Sequence, residues 1–104
     1  MKAVVVLTTV GGGFDAHSLA EALVEQHLAA CVNVLPQVHS VYRWQGRVEH
    51  DDEQLLLIKT AADKVDALEE TLRKLHPYET PEFVVLPIEE LRGPYAQWFE
   101  AVLR

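Results

Sequence analysis

The chain has 104 residues, 49% of them hydrophobic, and carries a net charge of −7 from 16 acids against 9 bases. That balance excludes the basic footprint of a nucleic-acid binder and disfavours an anionic membrane surface, and it leaves cations open as partners. One cysteine, Cys31, rules out an internal disulfide framework, and no stretch approaches the ~20 apolar residues of a membrane span. The opening "MKAVVVLTTV" is too short for a signal h-region with a cleavage site and runs straight into glycine, so the expected location is the cytoplasm. The length predicts one domain over residues 1–104, with a radius of gyration of roughly 13 Å and a body roughly 30 Å across.

"AVVVLTTV", Ala3 to Val10, is a continuous β-branched run that suits a central strand. Gly11 to Gly13 end it as a flexible loop; the lysine and hydroxyl of a phosphate-binding loop are missing. Asp15 is placed to cap a helix. Ala16, Leu19, Ala20 and Leu23 keep helical spacing on one side of a segment running to about Ala29. A β-hairpin follows from Cys31 to Thr60, turning at Gly46. In its first arm Val32, Val34, Val38, Tyr42 and Trp44 share one parity and so one expected face. Pro36 lies within that arm. Proline lacks a backbone donor, so the arm is expected at a sheet edge or with a bulge.

Thr60 and Asp63 resemble a capping box for a second helix, whose apolar face is Val65, Leu68, Leu72 and Leu75 and which ends before Pro77. "FVVLPI", Phe83 to Ile88, reads as another buried strand. Gly93 and Pro94 open a last helix with Tyr95, Trp98, Phe99 and Val102 on its apolar face. The order is βαββαβ plus a terminal helix. That is an α+β fold of ferredoxin-like type, with helices on one face of an antiparallel sheet.

The hairpin is too long for its own domain. Each arm holds about 14 residues, which at ~3.3 Å per residue is about 45 Å. The distal part must project or bend back at Pro36. It carries Val41, Tyr42 and Trp44, which are a liability on an edge unless another surface covers them. Another copy of the same chain would do so, and a closed ring suits an oligomer of identical chains.

Four candidate groups carry chemistry. The first is "HPYETPE", His76 to Glu82. Its two X-Pro bonds stop one helix and extend the entry to the last strand, while Tyr78 and Glu79 stay available to a ligand or partner. His76 is either a Cu(II) donor or a histidine seated at a helix C-terminus. Cys31 is either a soft donor or a small buried hydrophobe at a strand start. Glu49, Asp51 and Glu53 share a strand face by period two and are either a solvated charged arm or a group whose repulsion a hard cation or an arginine relieves, with Arg43 or Arg47 of this chain or a neighbour placed to pair with Glu53.

Taken together, "AACVNVLPQVHSVYRWQGRVEHDDEQLLLIKT", "HPYETPE" and "VLPI" closely resemble the CutA divalent-cation tolerance family across nearly the whole chain. The markers are Cys31-Val32-Asn33, then Tyr42, Trp44, Gly46, Glu53, the Lys59-Thr60 pair, His76-Pro77-Tyr78-Glu79 and Pro81-Glu82. The resemblance implies a ferredoxin-like fold, a homotrimer whose sheets join between subunits, an architecture like that of PII signalling proteins, tolerance to copper and other divalent metals, and no enzyme reaction. Copper(II) or another divalent cation would then bind at His76, with Cys31 and Glu79 as further donors. Tyr42, Trp44 and Glu53 would hold the trimer together. Thr8 and Leu75 stand where some members carry a cysteine and a second histidine, and neither is a strong copper donor. The alternative is a signalling or adaptor trimer. Its clefts between subunits, lined by Tyr78 and Lys59, would take a small metabolite or the tail of an unidentified protein partner. No Ser/His/Asp order or metal-protease spacing supports an enzyme.

Overall fold

A computed structural model describes residues 1–104. Strand β1 (Ala3–Gly11) leads to helix α1 (Ala16–Glu25). The long strands β2 (Cys31–Trp44) and β3 (Arg47–Ala61) follow, then a 3-10 turn (Ala62–Lys64), helix α2 (Val65–Leu75), strand β4 (Val84–Pro87) and helix α3 (Gly93–Val102). All strand pairs are antiparallel, in the order β2-β3-β1-β4. This is the expected α+β plait. Val4, Val6 and Val10 of β1 and Leu56 and Ile58 of β3 point to one face, as side chains of one parity must. There they meet Leu19 and Leu23 of α1 and Leu68 and Leu72 of α2 in the main core.

The ends of the elements follow local chemistry, with four departures from expectation. Asp15 caps α1, accepting from the Ser18 amide (3.1 Å) and hydroxyl (2.7 Å). The helix stops at Glu25, short of Ala29, because His27 turns left-handed at φ 59°. The Leu28 amide then bonds to the Leu23 carbonyl and the His27 amide to the Val24 carbonyl, a Schellman closure. The capping box at Thr60 and Asp63 does not form. Thr60 is still in β3, and its buried hydroxyl donates to the Leu28 carbonyl at 2.7 Å. The strand at Val84–Pro87 is not buried: it is the exposed sheet edge beside β1. In α3 the buried residues are Phe99 and, just beyond the helix, Leu103. Tyr95 and Trp98 remain exposed, their rings 5.3 Å apart.

The glycine loop is tied down rather than loose. The Gln54 side-chain amide donates to the carbonyls of Gly11 (2.9 Å) and Phe14 (2.8 Å). The hairpin tip turns through Gln45 and Gly46, both with positive φ (49° and 80°), as a two-residue hairpin loop requires. The molecule measures 45 × 25 × 23 Å, so the hairpin does project.

The decisive irregularity lies in β2. Leu35 faces Leu55 but Val38 faces Glu53, so β2 spends three residues where β3 spends two. This bulge at Pro36 and Gln37 reverses the parity of everything beyond it. Val32 and Val34 pack toward the helices. Val38, Ser40, Tyr42 and Trp44, paired with Glu53, Asp51, Glu49 and Arg47, face the opposite side. The single face expected for Val32 through Trp44 is therefore two faces.

Phe99 closes the second core cluster with Ala3, Ala30, Ala61 and Leu103 and is fully buried. Phe99→Ala should lower the unfolding free energy by about 3–5 kcal/mol, read by urea denaturation at fixed protein concentration.

Candidate functional site

The side of the sheet away from the helices holds a cleft of about 890 Å³ at the root of the hairpin. Its floor is Thr9 and Gly11 of β1. Ser40, Tyr42 and Trp44 of β2 and Asp51 and Glu53 of β3 form one wall, and the segment Tyr78–Glu82 forms the other. The bulge is what delivers the β2 residues here. The carboxylates of Asp51, Glu53, Glu79 and Glu82 belong to the cleft, whereas that of Asp52 turns to His39 on the other side of the hairpin, and no lysine or arginine lines the cleft.

His76 anchors the second wall. Helix α2 ends at Leu75, and the His76 amide still closes on the Leu72 carbonyl at 2.8 Å. Pro77 prevents a further turn. The imidazole turns inward and is buried. Its Nε2–H donates to the Thr9 carbonyl at 2.9 Å, and its Nδ1 accepts from the Tyr78 amide at 3.1 Å. These two bonds define the neutral tautomer. Burial holds its pKa below the usual histidine value, against opposing pulls from the Thr9 carbonyl and Glu53.

Tyr78 continues the chain of contacts. Its ring centroid is 4.9 Å from that of His76, and its hydroxyl donates to Glu53 Oε2 at 2.7 Å. Burial, and then this bond to Glu53, push the phenol pKa well up, so the hydroxyl stays a donor. Glu53 is itself buried. Burial also raises the Glu82 carboxyl, with a smaller contribution from Glu53. On the hairpin the Tyr42 hydroxyl donates to Asp51, which pushes its pKa up to about 12.

The structure thus gathers Tyr42, Trp44, Glu53, Tyr78 and Glu79 around one cleft, with His76 behind the wall. It does not bring Cys31 or Lys59 there. Those two face each other across β2 and β3, while Thr9 pairs with Leu55. Four residues of β3 separate the two levels, roughly 13 Å at ~3.3 Å per residue. Within one chain Cys31, His76 and Glu79 therefore do not converge on a metal, and both ring nitrogens of His76 are engaged. Cys31 is half-buried on the open face, its Sγ 3.8 Å from Asn33 Oδ1. Thr8 is fully buried on the helix side and its hydroxyl has no partner; Leu75 is exposed. Glu53 is held by Tyr78, not by Arg43 or Arg47 of the same chain. Asp51 lies on the face of Glu53 that period two predicts, and Glu82 of the HPYETPE motif joins it at the cleft. Their shared cleft depends on pairing between β2 and β3 and on the path after Pro77.

This fold is shared by a group of solved proteins. The structure of CutA1 from Oryza sativa superposes over 100% of this chain and 95% of its own, with a TM-score of 0.94 and 38% identity. The divalent-cation tolerance protein CutA of Thermus thermophilus is 50% identical over 94 residues, 90% of this chain and 91% of that protein. The CutA homolog of Xenopus laevis is 53% identical over 83 residues, 80% of this chain. The chain spans about half the length of the vertebrate relatives it matches. Residues 4–102 match the family described as CutA1 divalent ion tolerance protein, and the chain belongs to that family.

Removing the Tyr78 hydroxyl leaves the buried Glu53 carboxylate without its donor. Tyr78→Phe should cost about 1–3 kcal/mol in denaturant unfolding. Tyr42→Phe should change stability little, because its partner Asp51 is exposed.

The His76 shift has a sign that can be read. The unfolded chain takes up a proton near the ordinary value of 6.5, whereas the folded chain resists it to lower pH. The unfolded state then binds more protons, so stability is fullest above 6.5 and falls as pH drops below it. Between about pH 7.5 and about pH 5.5 the unmodified chain should lose more stability than His76→Gln. Glu82 acts in the opposite sense but is common to both chains and cancels in the difference.

Proposed function

We propose that the chain acts as a cytoplasmic homotrimer that binds divalent cations, copper foremost, in divalent ion tolerance, and that it catalyses no reaction. The observation that carries the trimer is the uncovered apolar surface on the side of the sheet away from the helices. Leu35, Val84 and Leu86 stand exposed on that face, and Tyr42 and Trp44 extend from it along the hairpin. Both sheet edges, β2 and β4, offer unpaired backbone groups. Three identical chains can cover these surfaces and edges together, with Tyr42, Trp44 and Glu53 at the contacts.

The cation preference rests on the cleft. Its acidic side chains, in a chain of net charge −7, attract divalent cations and repel anions. His76 supplies the nitrogen donor and Glu79 the oxygen. Coordination at His76 Nδ1 requires release of the Tyr78 amide. Cys31 can join only from a neighbouring chain. A second function has its own support: the cleft volume and the aromatic walls of Tyr42, Trp44 and Tyr78 suit a small organic molecule. A signalling or adaptor trimer would use them so, alone or with an unidentified protein partner.

Light scattering at micromolar concentration should report three times the 11.7 kDa chain, and Trp44→Ala should weaken that assembly. Copper(II) should raise the melting temperature, and His76→Ala should diminish the rise. A stable single chain would remove the trimer. A copper response unchanged by His76→Ala would remove His76 as the ligand. Stabilisation by nucleotides or small acids, without any by metals, would favour the signalling function instead.

A further inference from the structure

The far side of the hairpin carries a second arrangement of donor atoms. His39 and His50 belong to the side of the hairpin opposite Tyr42 and Trp44. His39 pairs with Asp52 and Val41 with His50, so the two histidines are diagonal neighbours across β2 and β3. The Asp52 carboxylate accepts from His39 Nδ1–H at 3.1 Å. That bond leaves the lone pair on His39 Nε2, which accepts from His50 Nδ1–H at 3.2 Å. The ring centroids are 5.4 Å apart and tilted by 38°.

We propose that His39 Nε2 and His50 Nδ1 form a bidentate site for a borderline divalent cation, with Asp52 as a positioning residue. Imidazole nitrogens bind such ions at about 2.0–2.1 Å. Two nitrogens 3.2 Å apart then subtend about 100° at the ion, between the octahedral and tetrahedral values. Both side chains are exposed, so the His50 proton can pass to its solvent-facing Nε2 through water, and a swing of the two rings out of their hydrogen bond then aims His39 Nε2 and His50 Nδ1 at one ion. Asp52 performs the outer-shell duty seen at metal-bound histidines: it fixes the tautomer and raises the basicity of the ligating nitrogen. No group of three or more His, Cys, Asp or Glu side chains is arranged to hold a metal. The site is therefore a two-donor one, with water completing the shell. Imidazole donors select Cu(II) over Ni(II) and Zn(II), and do not select magnesium or calcium. The site is separate from His76, lies on the other side of the sheet, and needs neither the cleft nor a trimer.

The test is electron paramagnetic resonance of the full chain with one equivalent of Cu(II), using His39→Ala, His50→Ala, Asp52→Ala and His76→Ala. The expected spectrum has nitrogen superhyperfine splitting from two imidazoles. It should be lost in His39→Ala and in His50→Ala and kept in His76→Ala. Asp52→Ala should keep the two-nitrogen pattern but weaken copper binding about tenfold, measured by chelator competition. All three hairpin side chains are exposed, so these variants should keep their circular dichroism. A two-nitrogen signal that survives in the His39→Ala/His50→Ala double variant overturns the site. So does a signal abolished by His76→Ala alone, which would instead support copper at the cleft.

Discussion

The single extra residue in β2 is the constraint on which the rest of the molecule depends. Because side chains alternate with period two, one added residue at Pro36 and Gln37 moves every later side chain to the other face. Proline makes the site natural, since it has no amide to contribute to the ladder. Before the bulge, β2 turns Val32 and Val34 to the helices and helps close the core. Beyond it, the aromatic residues lie on the side away from the helices, above the acids of β3. Without the bulge, Tyr42 and Trp44 would share the face of Val32 and Val34, and the cleft would lose one wall.

The other wall is made rigid by a short relay of contacts. His76 joins the end of α2 to β1 through the Thr9 carbonyl, and Tyr78 joins the same segment to β3 through Glu53. The connector after α2 is thus fastened at two points. Its prolines give it direction and its polar side chains give it position. A buried neutral imidazole, a phenol that stays protonated and a buried carboxylate form one linked set, so a change at any of them is felt across three elements.

Electrostatics and surface chemistry divide the projecting hairpin into two sides. One combines aromatic rings with carboxylates at the cleft. The other presents the pair of imidazoles backed by Asp52. The family relation places the chain among divalent ion tolerance proteins. The two sides offer cations chemically different settings: oxygen-rich and partly enclosed at the cleft, nitrogen-rich and open on the outer side.

Much of this was legible in the residues. Hydrophobic periodicity marked each core strand and helix, and Asp15 and Pro77 marked a start and a stop, because these signals act within a few residues of themselves. The length of the hairpin implied its projection, and the HPYE segment and Glu53 stood out through their resemblance to a family. Local rules misled where a distant partner competed. Thr60 was drawn from a cap into the sheet by the Leu28 carbonyl, and α1 ended early at His27, where the chain turned back toward β2. The strand at Val84 looked buried from its side chains, but its sheet position left it at an edge. The sequence by itself determined the elements, their order and the acidic character of the chain. Only the tertiary structure decided which face each hairpin residue occupies, that His76 spends both nitrogens on backbone groups, and that His39 meets His50. Each of those depends on strand register or on contacts between distant segments, and neither is encoded at any single position.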